Sequence, residues 1–370
     1  MELESGFRGA VDVVEADGGL RPLRLLAEQH RLAPEPLQLM AEFTSGVRLV
    51  LRTAATRLEL EVAVERYVMR HLGRPTREAE FLAEIDGVVV DAVAATPTAL
   101  RLERGRGEPY DRETAPAVRV SLHLGRASTG REVVIWFPHD AGVTVLGVDG
   151  DAPVEAVRAG GGRHWVHHGS SISHGGNARD QRQTWPAQVG RALGIRWSNL
   201  GFGGNAMLDP MTARSIAAMD ADVITLELGI NIVGGDAMRP RVFASAVHGF
   251  VDVLRDRHPV TPIVLLGAFT CPALESAPGP MVMTPEGPRG TERPGDDDAL
   301  TLQRTRELLQ RVVALRDDPG LGYLDGRELF GPDDVHLLED GLHPSQEGLD
   351  LIARRFLERG TIVETARMAG

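Results

Sequence analysis

Two hydrophobic periods divide this chain. Up to about residue 155, apolar and polar residues alternate over short runs. Val47-Arg48-Leu49-Val50-Leu51-Arg52 and Arg57-Leu58-Glu59-Leu60-Glu61-Val62 read this way, and Glu84 to Val93, Val118 to Leu124 and Glu132 to Phe137 continue the pattern. Short period-two runs broken by Gly, Pro and polar turns predict an antiparallel sandwich or jelly roll. Asp86-Gly87 and Asp149-Gly150 are the expected hairpin tips.

From about residue 163 the pattern changes. Strands are predicted at 163–168, 195–198, 222–228, 262–268 and near 322–324, with helices at 184–193, 211–218, 240–257, 299–316 and 345–358. Alternation of this kind predicts three α/β layers around a parallel sheet, with a site at the carboxyl ends of its strands. The expected division is a β-sandwich over 1–155, a Gly-rich linker over 156–162 and an α/β domain over 163–370. Residues 275–298 are rich in Pro and Gly and lack a hydrophobic period, which leaves a cover over the site or disorder as equal readings.

The candidate chemistry lies where predicted strands end. Gly169-Ser170-Ser171-Ile172-Ser173 follows the first, and a Ser among small residues there can present its hydroxyl to a cleft. Asp340-Gly341-Leu342-His343-Pro344 sets a carboxylate within one turn of an imidazole. Nucleophile, base and orienting acid are thus present as Ser171, His343 and Asp340. Taken singly, each is more often a turn residue or a surface pair. Between them come Asn199-Leu200-Gly201-Phe202-Gly203-Gly204-Asn205, whose backbone can approach a ligand closely, and Gly229-Ile230-Asn231, whose amide can donate to an oxyanion.

These four motifs, in this order, resemble the SGNH or GDSL-type hydrolase family over residues 163–360, through Ser171, Gly204, Asn231 and the Asp340–His343 pair. Trp185-Pro186 adds to the likeness. The resemblance implies a flavodoxin-like catalytic domain in which Ser171, Asp340 and His343 act together, with the Ser171 N–H, the Gly204 N–H and the Asn231 side chain as the oxyanion hole. No cofactor is implied. The chain departs from the family pattern at Ser170, where an Asp is common, and at Ile232, where another Asp often follows the Asn. Both departures remove carboxylates, so hydrogen bonding around the site must differ.

Composition narrows the partners. The net charge of −12 disfavours nucleic acid and anionic membranes, and all 40 basic residues are Arg. The single cysteine, Cys271, excludes an internal disulfide and reads as a small packing residue. His164, His167, His168 and His174 lack the acids or Cys of a metal set, so no metal site is expected, and His168 is placed near the nucleophile. There is no P-loop or dinucleotide fingerprint and no Gly-x-Ser-x-Gly elbow. Met1 to Arg24 lacks an apolar h-region, so a cytoplasmic protein is expected.

A sandwich ahead of an SGNH domain is similar to two arrangements. One removes acetyl groups from carbohydrates, and the other transfers acyl groups in bacterial natural-product biosynthesis. The expectation is transfer from a thioester or ester donor to a hydroxyl of a small molecule, with the sandwich shaping acceptor access. An intracellular carbohydrate O-acetyl esterase is the alternative, and an inactive carbohydrate-binding protein a third reading. The acyl group, the acceptor and the oligomeric state are not legible in the sequence.

Overall fold

The computed structural model describes residues 3–69, 77–103, 111–128, 130–291, 295–296 and 298–360. By its contacts the chain forms two units. The first holds the chain up to Ala27, Ala41–Gly161 and Asp180–Arg182, and the second Glu28–Met40, Gly162–Arg179 and the chain from Gln183 onward. The chain passes from the first unit to the second at Gly161–Gly162, within the 156–162 segment, and Glu28–Met40 and Asp180–Arg182 make the division discontinuous. Helices at Ala27–Leu32 and Glu35–Glu42 interrupt the β-rich half, and Glu28–Met40 associates with the second unit.

The first unit contains a six-stranded and a seven-stranded sheet. Their shared core takes Leu49, Leu51, Val133 and Ile135 from one and Leu58, Leu60, Val62 and Val64 from the other. Leu58, Leu60, Val62 and Val64 point inward from the long strand Arg57–Met69 while Glu59 and Glu61 point away. Each such side chain contributes about 2 kcal/mol by leaving water, so a one-residue slip is strongly disfavoured.

Among the described residues, pairing in the sandwich is antiparallel except where Arg57–Met69 runs parallel to Ala99–Glu103. Asp86-Gly87 forms the expected hairpin tip, with φ of 51° and 80° between the strands Ala79–Ile85 and Val88–Ala95. Asp149-Gly150 does not form one. Both residues stay in the strand Gly142–Gly150, opposite Glu59 and Leu58. The chain turns after them, where Asp151 accepts the Thr56 and Arg57 N–H groups.

The second unit is built on five parallel strands: β1 His164–Gly169, β2 Arg196–Gly201, β3 Val223–Leu228, β4 Ile263–Gly267 and β5 Leu321–Leu324. Their order is β2-β1-β3-β4-β5, the flavodoxin-like arrangement. The first connection leaves β1 toward β2, and later ones run the other way past β3. The switch point therefore lies between β1 and β3, at their carboxyl ends. Strands β1, β3 and β4 are buried along their whole length, as a sheet covered on both faces requires. Among the described residues no helix is long and apolar enough to cross a membrane.

Part of the 275–298 segment forms a hairpin, Val282–Thr284 with Gly287–Arg289. It has fixed ties. Met281 N–H donates to Gly234 O at 2.8 Å, Gly290 N–H to Ala273 O at 3.2 Å, and Glu275 pairs with the buried Arg306 at 2.7 Å.

Candidate active site

Strand β1 ends against a turn with no room for a side chain at Gly169. A Cβ there would lie 2.5 Å from Ser173 Oγ and 2.6 Å from Glu227 Oε2. Ser170 then caps the short helix Ser171–His174, its hydroxyl accepting from Ile172 N–H. Ser171 is thereby set at the first helical position. Its N–H makes no hydrogen bond among the described residues, as expected for the exposed N–H groups of a helix start.

The Ser171 hydroxyl faces a ring from the far end of the chain. Ser171 Oγ lies 2.8 Å from His343 Nε2, and His343 Nδ1 lies 2.9 Å from Asp340 Oδ2. The other Asp340 oxygen accepts the Leu342 and His343 N–H groups at 3.0 and 2.7 Å. One carboxylate thus shapes the loop with one oxygen and orients the ring with the other. Partial burial alone would raise the Asp340 pKa. The His343 ring and the two N–H groups outweigh it and hold the carboxyl well below the usual carboxylate range. The loop is fastened by Glu339 N–H to His343 O at 2.9 Å, and Pro288 of the hairpin packs on Gly341.

After β2, Phe202 N–H donates to Gly169 O at 2.8 Å, which joins the ends of β1 and β2. Phe202 to Asn205 closes a turn through Asn205 N–H to Phe202 O, with Gly204 at φ 69°. A Cβ on Gly203 would lie 3.7 Å from Ser171 Cβ and 3.5 Å from Met40 Sδ, so Gly203 sits between Ser171 and Met40. Gly204 N–H has no hydrogen-bond partner among the described residues. After β3, Asn231 lies in the first turn of the helix Ile230–Gly234. Its Oδ1 accepts Ala206 N–H at 3.0 Å, leaving Nδ2 without a partner among the described residues. Three donors follow three neighbouring strands, and each retains a hydrogen to give.

Residues 168–351 match the description GDSL-like Lipase/Acylhydrolase family. This part of the chain belongs to that family. Over nearly its whole length the chain is similar to the salicylyl-acyltransferase SsfX3 from a tetracycline biosynthetic pathway, at 27% identity and a TM-score of 0.78, covering 95% of this chain and 92% of that one. A putative GDSL-like lipase from Bacteroides ovatus shares the fold at 18% identity and TM-score 0.68, over 97% and 95% of the two chains. A family two carbohydrate esterase from Clostridium thermocellum shares it at 16% and 0.59, over 86% and 92%. No curated protein sequence matches the chain.

Within the GDSL-like domain the histidines at the end of β1 have separate places. His168, expected near Ser171, lies between Phe202 and Phe250, with Nδ1 2.7 Å from Leu200 O. Alternation along the strand turns His167 the other way, and its Nε2 lies 2.7 Å from Ser173 Oγ. His164 contacts Ser198 Oγ and Asp220 O. Among the described residues no group of three or more His, Cys, Asp or Glu is placed to hold a metal ion. Cys271 is fully buried behind the Asp340 loop, Sγ 3.9 Å from Gly341 O, and burial pushes its thiol up to about 11.

Sequence reasoning passed over Met40 and Glu227. Nothing local marks Met40, because its neighbour Gly203 is remote in sequence. Glu227 carried a signal, since an acid inside the apolar run Val223-Ile224-Thr225-Leu226-Glu227-Leu228 must find donors. It is fully buried, and Oε2 accepts Ser170 N–H at 2.6 Å.

Proposed function

We propose that the GDSL-like domain is a serine-dependent acyl-transfer enzyme. Supporting this reading above all is the unbroken hydrogen-bond chain Ser171–His343–Asp340 at the carboxyl ends of the sheet strands. His343 Nε2 takes the Ser171 proton as Oγ attacks the carbonyl carbon of an ester or thioester. Asp340 stabilises the imidazolium that results. The carbonyl oxygen becomes an oxyanion, which Ser171 N–H, Gly204 N–H and Asn231 Nδ2 stabilise by donation. As the tetrahedral carbon collapses, His343 returns the proton to the leaving alcohol or thiol, and an acyl-Ser171 ester remains.

An acceptor hydroxyl then gives its proton to His343 and attacks the acyl carbon, and Ser171 leaves and regains its proton. The same residues serve whether the acceptor is water or a small-molecule hydroxyl. Similarity to a salicylyl-acyltransferase over 95% of this chain favours transfer to a hydroxyl of a small natural product. An acceptor well aligned beside the acyl carbon can reach an effective concentration of about 10⁵ M, enough for a dilute hydroxyl to outrun water.

The test is product partitioning from aryl-ester and acyl-thioester donors with rising concentrations of polyhydroxylated or glycosylated acceptors. Transfer predicts an acylated acceptor that grows at the expense of free acid. Free acid alone with every acceptor, and sugar acetates as the best substrates, would replace this reading with a carbohydrate esterase.

A further inference from the structure

The first motif has Ser170 where the family pattern often has Asp, yet the nucleophile turn still rests on a carboxylate, supplied by β3. Glu227 Oε2 accepts two hydrogen bonds, from Ser170 N–H at 2.6 Å and from Ser173 Oγ at 3.3 Å. Glu227 and both serine partners are buried, and Glu227 Oε1 has no partner among the described residues.

Behind Ser173 the contacts form a single file. Trp165 Nε1–H donates to Thr225 Oγ1 at 2.8 Å, Thr225 Oγ1 lies 2.7 Å from His167 Nδ1, and His167 Nε2 lies 2.7 Å from Ser173 Oγ. Burial holds the His167 ring well below its ordinary pKa, so it is neutral and has one N–H. One tautomer then satisfies every link. Thr225 O–H donates to Nδ1, Nε2–H donates to Ser173 Oγ, and Ser173 O–H donates to Glu227. With Glu227 as the acceptor of the Ser173 hydroxyl, donation runs in one direction from Trp165 and ends at Glu227.

The other end of this acceptor is the nucleophile. Ser170 O accepts from His174 N–H at 2.9 Å, and Ser170 N–H is held by Glu227. The peptide groups on both sides of Ser170 are therefore pinned. The second of them carries the Ser171 N–H, the donor assigned to the oxyanion, and leads directly to the Ser171 Cα.

We infer that Glu227 is a positioning residue for Ser171: by accepting Ser170 N–H and ending the Trp165–Thr225–His167–Ser173 chain, it sets the angle of the oxyanion N–H and the nucleophile. The inference rests on the Ser171 chemistry proposed above. Burial pushes the Glu227 carboxyl up, against the hydrogen bonds from Ser170 and Ser173, which act to lower it. The role is to accept, not to carry charge.

Three variants separate acceptance from charge and from bulk. Glu227→Gln keeps an acceptor at the Oε2 position and places its NH₂ at the unpartnered one. Glu227→Met keeps the volume without an acceptor. Glu227→Asp keeps the acid but withdraws it by one methylene. Each full-length variant is compared with wild type in fluorophosphonate labelling rate at Ser171 and in kcat and KM on a short-chain aryl ester, at a temperature where circular dichroism shows it folded. Gln is expected within about threefold of wild type. Met and Asp are expected to lose tenfold or more in labelling rate and kcat, with KM within about threefold, since one misplaced oxyanion donor costs up to about 10²–10³.

Should Met fail to fold, the Gln and Asp pair decides. Unchanged rates in Asp and in any folded Met variant, or equal losses in Gln and Asp, would overturn the inference. Absence of Ser171 labelling in the wild type is a different failure, because it removes the proposed acyl chemistry itself.

Discussion

Asp340 grips His343 twice, with Oδ2 2.9 Å from ring Nδ1 and Oδ1 2.7 Å from the backbone N–H of the same residue. Asp340→Asn would leave a carbonyl oxygen for the backbone bonds but turn an NH₂ toward Nδ1. The ring would then carry its proton on Nε2, where it cannot accept from Ser171. Steady-state assay is expected to show kcat lowered by about 10⁴, with the folded circular dichroism spectrum retained.

The same pair predicts a pH effect. The Asp340 carboxyl is held below its unfolded value, so its contribution to stability is full above about pH 4 and is lost as pH falls toward the folded value. The gap in Tm between wild type and Asp340→Asn is expected to be widest near neutrality and to narrow below about pH 4. Thermal melts from pH 3 to 7 read it directly; a gap that widens in acid contradicts the assignment.

Asn231 is anchored through Oδ1 to Ala206 N–H. Asn231→Ala is expected to lower kcat by about 10²–10³ through loss of one oxyanion donor. Asn231→Asp keeps an oxygen for Ala206 but sets a carboxylate toward the oxyanion, so it should be the slower of the two while melting near wild type. A KM rise with unchanged kcat would make Asn231 a substrate contact instead.

Gly203 and Gly204 should separate space from conformation. Gly203→Ala meets only ordinary contacts with Met40 and Ser171, so its Tm should hold while bulky acyl esters lose more kcat/KM than acetyl esters. Gly204→Ala meets nothing, but at φ 69° it carries a cost of about 1–2 kcal/mol, visible in denaturant unfolding.

Much of this arrangement is legible in the chain because it is local. Apolar runs mark strands β1 to β5, caps such as Thr184 and Ser345 mark helix starts, and the motifs follow strands directly. What escapes is non-local. The neighbours of Met40 lie more than a hundred residues away at Gly203, and Glu227 meets Ser170 only because β3 pairs with β1. Asp149-Gly150 shows a local signal overruled by strand pairing, and the hairpin within 275–298 shows order where no period announces it.

Cys271 supplies a control on folding. With its thiol pushed up to about 11, only about one molecule in 10³ is a thiolate at pH 8, and the group is fully buried. A thiol-disulfide reagent should leave native protein unmodified over hours and titrate the thiol promptly in denaturant. Prompt native reaction would show the Asp340 loop open.

The central claim is that Ser171 carries the acyl group, and trapping the adduct tests it most directly. Folded wild-type protein mixed with a fluorophosphonate, or quenched in acid during turnover of an aryl ester, is measured by intact mass and then mapped by peptide. The account predicts one adduct per chain on the peptide containing Ser171, fragmenting to Ser171 and not to Ser170 or Ser173, and its absence in His343→Ala. An adduct on Ser170 or Ser173, or none on the folded wild type, would contradict it.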